Sequence, residues 1–157
     1  MKLSHVDEAG KARMVDVAAK PQTVRAAVAE GAIRMSREAF EQVERHAIGK
    51  GDVLAAAEIG GTMGAKRAGE LIPLCHPITL DHVTVDAVLA PELPGVRITA
   101  AAKAVGRTGV EMEALTAVAV ACLTVYDMVK AVDRSMTIEH VQLVEKTGGT
   151  RGDWRRG

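Results

Sequence analysis

The chain has 157 residues, with 20 basic and 20 acidic side chains and a formal net charge of zero. That length predicts one domain, and the charge balance excludes a general nucleic-acid binder, which carries a basic excess, and a polybasic membrane attachment. Two cysteines, Cys75 and Cys122, are too few for a disulfide framework or a closed zinc site.

No secretory signal is visible. The longest apolar run, 117–123, falls far short of the ~20 residues a bilayer span needs, so a cytoplasmic protein is expected. Phe40, Tyr126 and Trp154 are the only aromatics against 26 alanines, so helices should pack closely rather than around large rings. Near-neutrality lowers self-repulsion and favours association.

Residues 1–20 mix charges with small residues and predict a mobile or partner-docked arm, with only MVDV at 14–17 suggesting an extended piece. The loose alternation over 23–35 predicts a strand bent near Gly31. Ser36 offers an N-cap to a short helix with Ala39, Phe40, Val43 and Ala47 on one face. After the loop Gly49–Lys50–Gly51, Asp52 offers another, for a helix running to about Leu71. Glycines at 60, 61, 64 and 69 weaken that helix by ~1 kcal/mol each against alanine, which predicts a close helix crossing as compensation.

A hairpin follows, alternating over 82–88, turning at 91–95 and alternating back over 96–100. The strongest helix runs from Val110 to about Val132, and a last strand covers 137–144. The order predicts an α+β fold, a ferredoxin-like βαββαβ sandwich with one additional helix and a four-stranded antiparallel sheet. Residues 21–147 form the domain, with 148–157 a glycine-rich basic tail. One sheet face should be left free, and such a face commonly binds a second copy.

Four polar clusters sit beside breaker residues. Lys50 between two glycines, ahead of a helix start, makes an anion cradle or a plain turn lysine. In Leu74–Cys75–His76, the histidine lies between a cysteine and a proline, partly buried or functional. Adjacent Cys and His side chains diverge and no ligand spacing completes a metal site, so no metal is expected. Thr108 and Glu111 match a capping box, whereas Glu113 lies outside that box, just inside the helix, where the macrodipole favours a carboxylate. Asp127 and Lys130 share a helix face as either a surface ion pair or a proton-transfer pair. Glu113 and Lys130 are 17 positions apart on one helix, about 25 Å. Either the two clusters serve different sites, or one site joins a helix end from each of two chains; a homo-oligomer with its pocket at a subunit contact is expected.

KGDV at 50–53, LIPLCHP at 71–77, TGVEMEALTA at 108–117 and YDMVKAV at 126–132, with MVDV at 14–17 and KTGG at 146–149, resemble the cyclic pyranopterin monophosphate synthase family. These are accessory-protein-C enzymes of molybdenum cofactor biosynthesis. The resemblance spans nearly the whole chain. It implies a hexamer, a trimer of dimers with active sites at the dimer contact. It also implies a substrate, 3',8-cyclo-7,8-dihydroguanosine 5'-triphosphate, made from GTP by a radical S-adenosylmethionine enzyme and converted to cyclic pyranopterin monophosphate and pyrophosphate.

By motif, Asp127, Lys130 and Lys50 match the family's catalytic residues. Leu74, Cys75, His76, Met112 and Glu113 match its substrate-contacting segments, and Arg25, Glu111 and Lys146 match polar pocket positions. No cofactor is implied, and the sequence leaves open whether Mg²⁺ accompanies the triphosphate. One departure is Thr150, followed by Arg151, where relatives commonly carry lysine after the Gly-Gly. From the residues alone, an enzyme and a small-molecule-binding module rank equally, with a purely structural oligomer as the third reading.

Overall fold

The computed structural model describes residues 4–157; the expectations for residues 1–3 lie outside the described residues. Strand β1 (Thr23–Arg34) is followed by helices α1 (Arg37–Glu44), α2 (Val53–Lys66) and α3 (Ala68–Leu71). The hairpin β2 (His82–Ala90) and β3 (Gly95–Gly106), helix α4 (Glu111–Val129), and strands β4 (Thr137–Thr147) and β5 (Trp154–Arg155) complete the chain. The sheet is open and antiparallel, in the order β2-β3-β1-β4-β5. It has five strands rather than the expected four, because the tail folds back and pairs Trp154 and Arg155 with Lys146 and Glu145. Within residues 148–157, Trp154 and Arg155 thus join the sheet.

The expected caps form where the side chains allow. The Ser36 hydroxyl accepts from the Ala39 N–H at 3.1 Å, and an Asp52 carboxylate oxygen accepts from the Ala55 N–H at 3.0 Å. The helix expected over 52–71 breaks at Arg67, whose φ of −108° and ψ of 5° leave the helical region. There are therefore two helices beyond the βαββαβ frame instead of one. The helix expected to reach Val132 ends at Val129, with Lys130 at its C-cap. The capping box does not form: α4 starts after Val110 with no side-chain cap, so Thr108 is not at the N-cap and Glu111 is not at the third helical position; the Glu111 carboxylate pairs with Lys146.

Helix α4 lies across β1, β3 and β4, and α2 packs on both α4 and β2. Alanine builds this layer. Ala27 and Ala29 of β1 and Ala100, Ala102 and Ala104 of β3 face Ala114, Ala117 and Ala121 of α4, all buried. Side chains this small bring α4 close to the sheet, and Val96, Ile98, Val118 and Val125 fill the remaining space. By length and hydropathy alone α4 meets the test for a membrane span. Half of it is buried against the sheet and α2, which makes it the central core helix.

The glycine-rich face of α2 is the close crossing that compensates for its weak propensity. A methyl group on Gly61 would lie 2.9 Å from both the Ala117 carbonyl oxygen and Val85, and one on Gly64 would lie 2.8 Å from Val120. A side chain at either position must push backbone or packed valine aside, at a cost of ~1–3 kcal/mol. The bend expected near Gly31 appears as a register shift between Glu30 and Ala32 against β4.

Candidate active site

Residues from both ends of the chain enclose a cavity of about 520 Å³ at the N-terminal end of α4. Leu74, Cys75 and His76 come from the loop after α3, Met112 and Glu111 from the first turn of α4, and Lys146 from the end of β4. Arg25 enters from β1, on the strand face turned toward the helices. Seven of the residues expected from sequence therefore meet in one cavity, and Glu113 sits behind its wall, bonded to Cys75.

The cavity is strongly cationic. Among the described residues, Lys20, Arg25, Arg107, Lys146 and Arg151 line it against a single carboxylate, Glu111. Lys146 pairs with that carboxylate at 3.0 Å. Arg25 is only 8% exposed; its Nη2 donates to the Arg107 carbonyl at 3.2 Å, and its Nε is buried with no partner. A buried guanidinium without a carboxylate is unfavourable unless an anion completes it, so the charge in this cavity favours an anion.

On another wall, the thiol of Cys75 donates to Glu113 Oε1 at 3.8 Å, while Glu113 Oε2 is buried without a partner. Burial pushes the Cys75 thiol up to about 11, with the Glu113 charge adding to it, so it remains protonated at neutral pH. Burial also raises the Glu113 carboxyl above its ordinary value, although its own backbone N–H and the Cys75 hydrogen bond pull the other way. A carboxyl raised in the folded state favours folding while protonated, and that contribution is lost as pH rises through the raised value.

Glu113→Gln should therefore be more stable than the unmodified chain at pH 8, by about 1 kcal/mol or about 3 °C in Tm. The gap should shrink as pH falls toward 4.5, the ordinary value. Thermal melts from pH 5 to 8 check this; a variant that melts lower at pH 8 would contradict it.

Part of the described arm contacts this cavity. His76 Nε2 donates to the Val15 carbonyl at 2.6 Å, which places the ring proton on Nε2. Ser4, His5, Val15, Val17 and Lys20 line the cavity of their own chain.

The other three expected residues lie at the opposite end of α4. Both oxygens of the Asp127 carboxylate are taken: Oδ1 accepts from Lys130 Nζ at 2.7 Å and Oδ2 from Lys50 Nζ at 3.1 Å. Lys50 also donates to the Asp127 carbonyl at 2.8 Å. The loop between α1 and α2 delivers Lys50, with Gly51 at a φ of 112° making the turn. The hydrogen bonds from Lys130 and Lys50 hold the Asp127 carboxyl below its ordinary value. None of the three lines the cavity.

Sequence reasoning did not single out Arg107 or Lys20. Both are isolated basic residues in glycine- or proline-flanked loops, and only the fold brings them to the cavity.

The sequence profile of the MoaC family matches residues 14–149. The chain belongs to the MoaC family. A protein of Thermomicrobium roseum named cyclic pyranopterin monophosphate synthase is 57% identical over 154 residues, 98% of this chain and 93% of that protein. One of Roseiflexus with the same name is 57% identical over 97% of this chain and 96% of its own. A third, from Brucella ovis, is 53% identical over 98% of this chain and 93% of its own. The matched region contains every site residue named above except Thr150, Arg151 and the first part of the arm.

Proposed function

We propose that this MoaC-family chain converts 3',8-cyclo-7,8-dihydroguanosine 5'-triphosphate to cyclic pyranopterin monophosphate and pyrophosphate in molybdenum cofactor biosynthesis. It acts in the cytoplasm, after a radical S-adenosylmethionine enzyme. Relatives bearing that enzyme's name, alike over nearly the whole chain, give the reaction its identity. The structural observation that carries the reading is Arg25, buried without a counter-anion in a cavity where cations outnumber carboxylates five to one. A triphosphate supplies the missing charge. Leu74, Cys75 and Met112 offer an apolar wall to the base, with the buried Glu113 carboxyl behind it holding the Cys75 thiol.

The chemistry rebuilds rings in the base. A sugar hydroxyl oxygen then bonds to the α-phosphorus as the bond to the β-phosphate oxygen breaks. Each step moves a proton, and Lys50, Asp127 and Lys130 form the group suited to it. Asp127 is an ionised carboxylate at neutral pH, so it orients the two ammonium groups instead of donating a proton. The reading invokes no resident cofactor and no metal ligand set.

The two clusters lie about 25 Å apart along α4, so a complete site takes one cluster from each of two chains. A hexamer built as a trimer of such dimers satisfies this requirement. Support comes from uncovered apolar side chains on both outer surfaces: Ile59, Met63 and Leu123 on the helices, and Val24, Val88 and Val105 on the sheet. The β2-β3-β1-β4 order, with α2 and α4 on one face, supports assigning the core to the ferredoxin-like class.

The direct test is incubation with the cyclised guanosine triphosphate and assay of pyrophosphate. Stoichiometric release with formation of the cyclic monophosphate is expected. Tight binding without release would make the chain a ligand-sensing module instead.

A further inference from the structure

With the triphosphate reading above as its premise, we propose that Arg151 and Arg107 grip the β,γ-phosphate end of the substrate beside Arg25, and hold the departing pyrophosphate. The folded tail makes this possible. After β4, Gly148 and Gly149 take φ values of 87° and 91°, a region open to glycine and strained for other residues. The Gly148 N–H donates to Asp153 Oδ1 at 2.9 Å, and the Gly152 N–H donates to the Gly149 carbonyl at 3.4 Å. Strand β5 then returns along β4. Arg156 locks the return: its N–H donates to the Val144 carbonyl and its Nε to the Leu143 carbonyl, both at 2.8 Å, and its guanidinium lies 5.7 Å from the centre of the Trp154 ring.

Residues 148–153 are therefore a closed loop whose tip, Thr150–Arg151, forms part of the cavity wall. The loop packs directly on the buried arginine. A side chain at Gly149 would collide with Arg25 Nη1, and one at Gly148 with the Val24 carbonyl. On the other side of Arg25, the Arg107 carbonyl accepts from its Nη2. The Arg107 carbonyl and the loop that carries Arg151 thus both pack on Arg25, all three arginines line the cavity, and none of the three makes an ion pair among the described residues. Three arginines without ion-pair partners lining one cavity favour an anion of high charge density there. Pyrophosphate and the terminal phosphates of a triphosphate are such anions, and guanidinium groups bind them through paired N–H donors. The wall of Leu74, Cys75 and Met112 carries no cation among the described residues, so the substrate lies with its base there and its phosphates toward the tail.

The experiment measures KM for the cyclised guanosine triphosphate and the inhibition constant of added pyrophosphate in the full-length protein. Calorimetric titration with inorganic tripolyphosphate runs alongside. Arg151→Ala is expected to raise KM, the pyrophosphate inhibition constant and the tripolyphosphate Kd together, by about tenfold or more. Arg151→Lys should recover part of each. Arg155→Ala removes a tail charge that pairs with Glu145 outside the cavity, and it should change them by about twofold or less.

Unchanged phosphate affinity in Arg151→Ala, or an equal loss in Arg155→Ala, would overturn the inference while leaving the proposed reaction standing. If instead the unmodified chain binds tripolyphosphate through Arg151 but releases no pyrophosphate from substrate, the anion site stands and the proposed reaction falls.

Discussion

Asp127→Asn is expected to lower the rate of pyrophosphate release by about 10²–10⁴-fold while leaving the thermal midpoint where it was. The carboxylate is exposed, and exposed ion pairs contribute little to stability because water and salt screen them. Its value lies in geometry. One oxygen holds the Lys130 ammonium and the other holds Lys50, from a different loop. An asparagine keeps the shape but turns an N–H₂ group toward one lysine, so one of the two lysines loses its acceptor and the pair has no counter-charge.

Lys130 and Lys50 hold the Asp127 carboxyl below its ordinary value. Deprotonated Asp127 is therefore retained well into the acid range, and its protonation should not limit the rate at pH 5. Assays from pH 5 to 8, with thermal melts on the same samples, check both statements. Near-normal turnover in Asp127→Asn would remove this cluster from the mechanism.

Much of the fold is visible in the local chemistry of the sequence. Ser36 and Asp52 announced their helices because an N-cap needs only a side-chain oxygen two or three residues ahead of an N–H. The glycines of α2 pointed to a close crossing because nothing else offsets their propensity, and Ala117, Val120 and Ala121 of α4 are the surfaces they meet. The separation of Glu113 from Lys130 followed from helical rise alone.

What the sequence hid depends on contacts between distant segments. Strand β3 runs six residues past the expected end, through Ala101, Ala102 and Ala104. Alanine has little strand preference, and pairing with β1 and β2 on both sides decides the matter. Strand β5 is two residues long and is held by β4 and the Arg156–Trp154 stack, which no local pattern encodes. Thr108 and Glu111 satisfy the capping spacing, yet Lys146, 35 positions later, captures the glutamate. The cavity was half visible for the same reason. Its motif residues were found, whereas Lys20 and Arg107 carry no local signal, and Arg151 drew notice only as a departure from a family pattern.

Mixing two inactive variants should restore activity. Arg25→Ala removes the buried cation at one end of α4, and Asp127→Asn disables the lysine-bound carboxylate at the other. If one complete site takes the cavity from one chain and Lys50, Asp127 and Lys130 from its partner, a mixed dimer contains one site with both defects and one with neither. Random reassociation makes half of all dimers mixed, so about a quarter of the unmodified activity should return by the symmetry of a twofold pair.

A site confined to a single chain gives the opposite result, because every site would then carry one defect and mixing would restore nothing. The variants must be dissociated and reassociated together, and samples mixed without dissociation provide the baseline. The same pairing with Lys130→Ala in place of Asp127→Asn should give the same fraction, since both residues lie at the same end of α4. Pairing Asp127→Asn with Lys130→Ala should restore nothing, because both defects then fall in the half-site that one chain supplies whole.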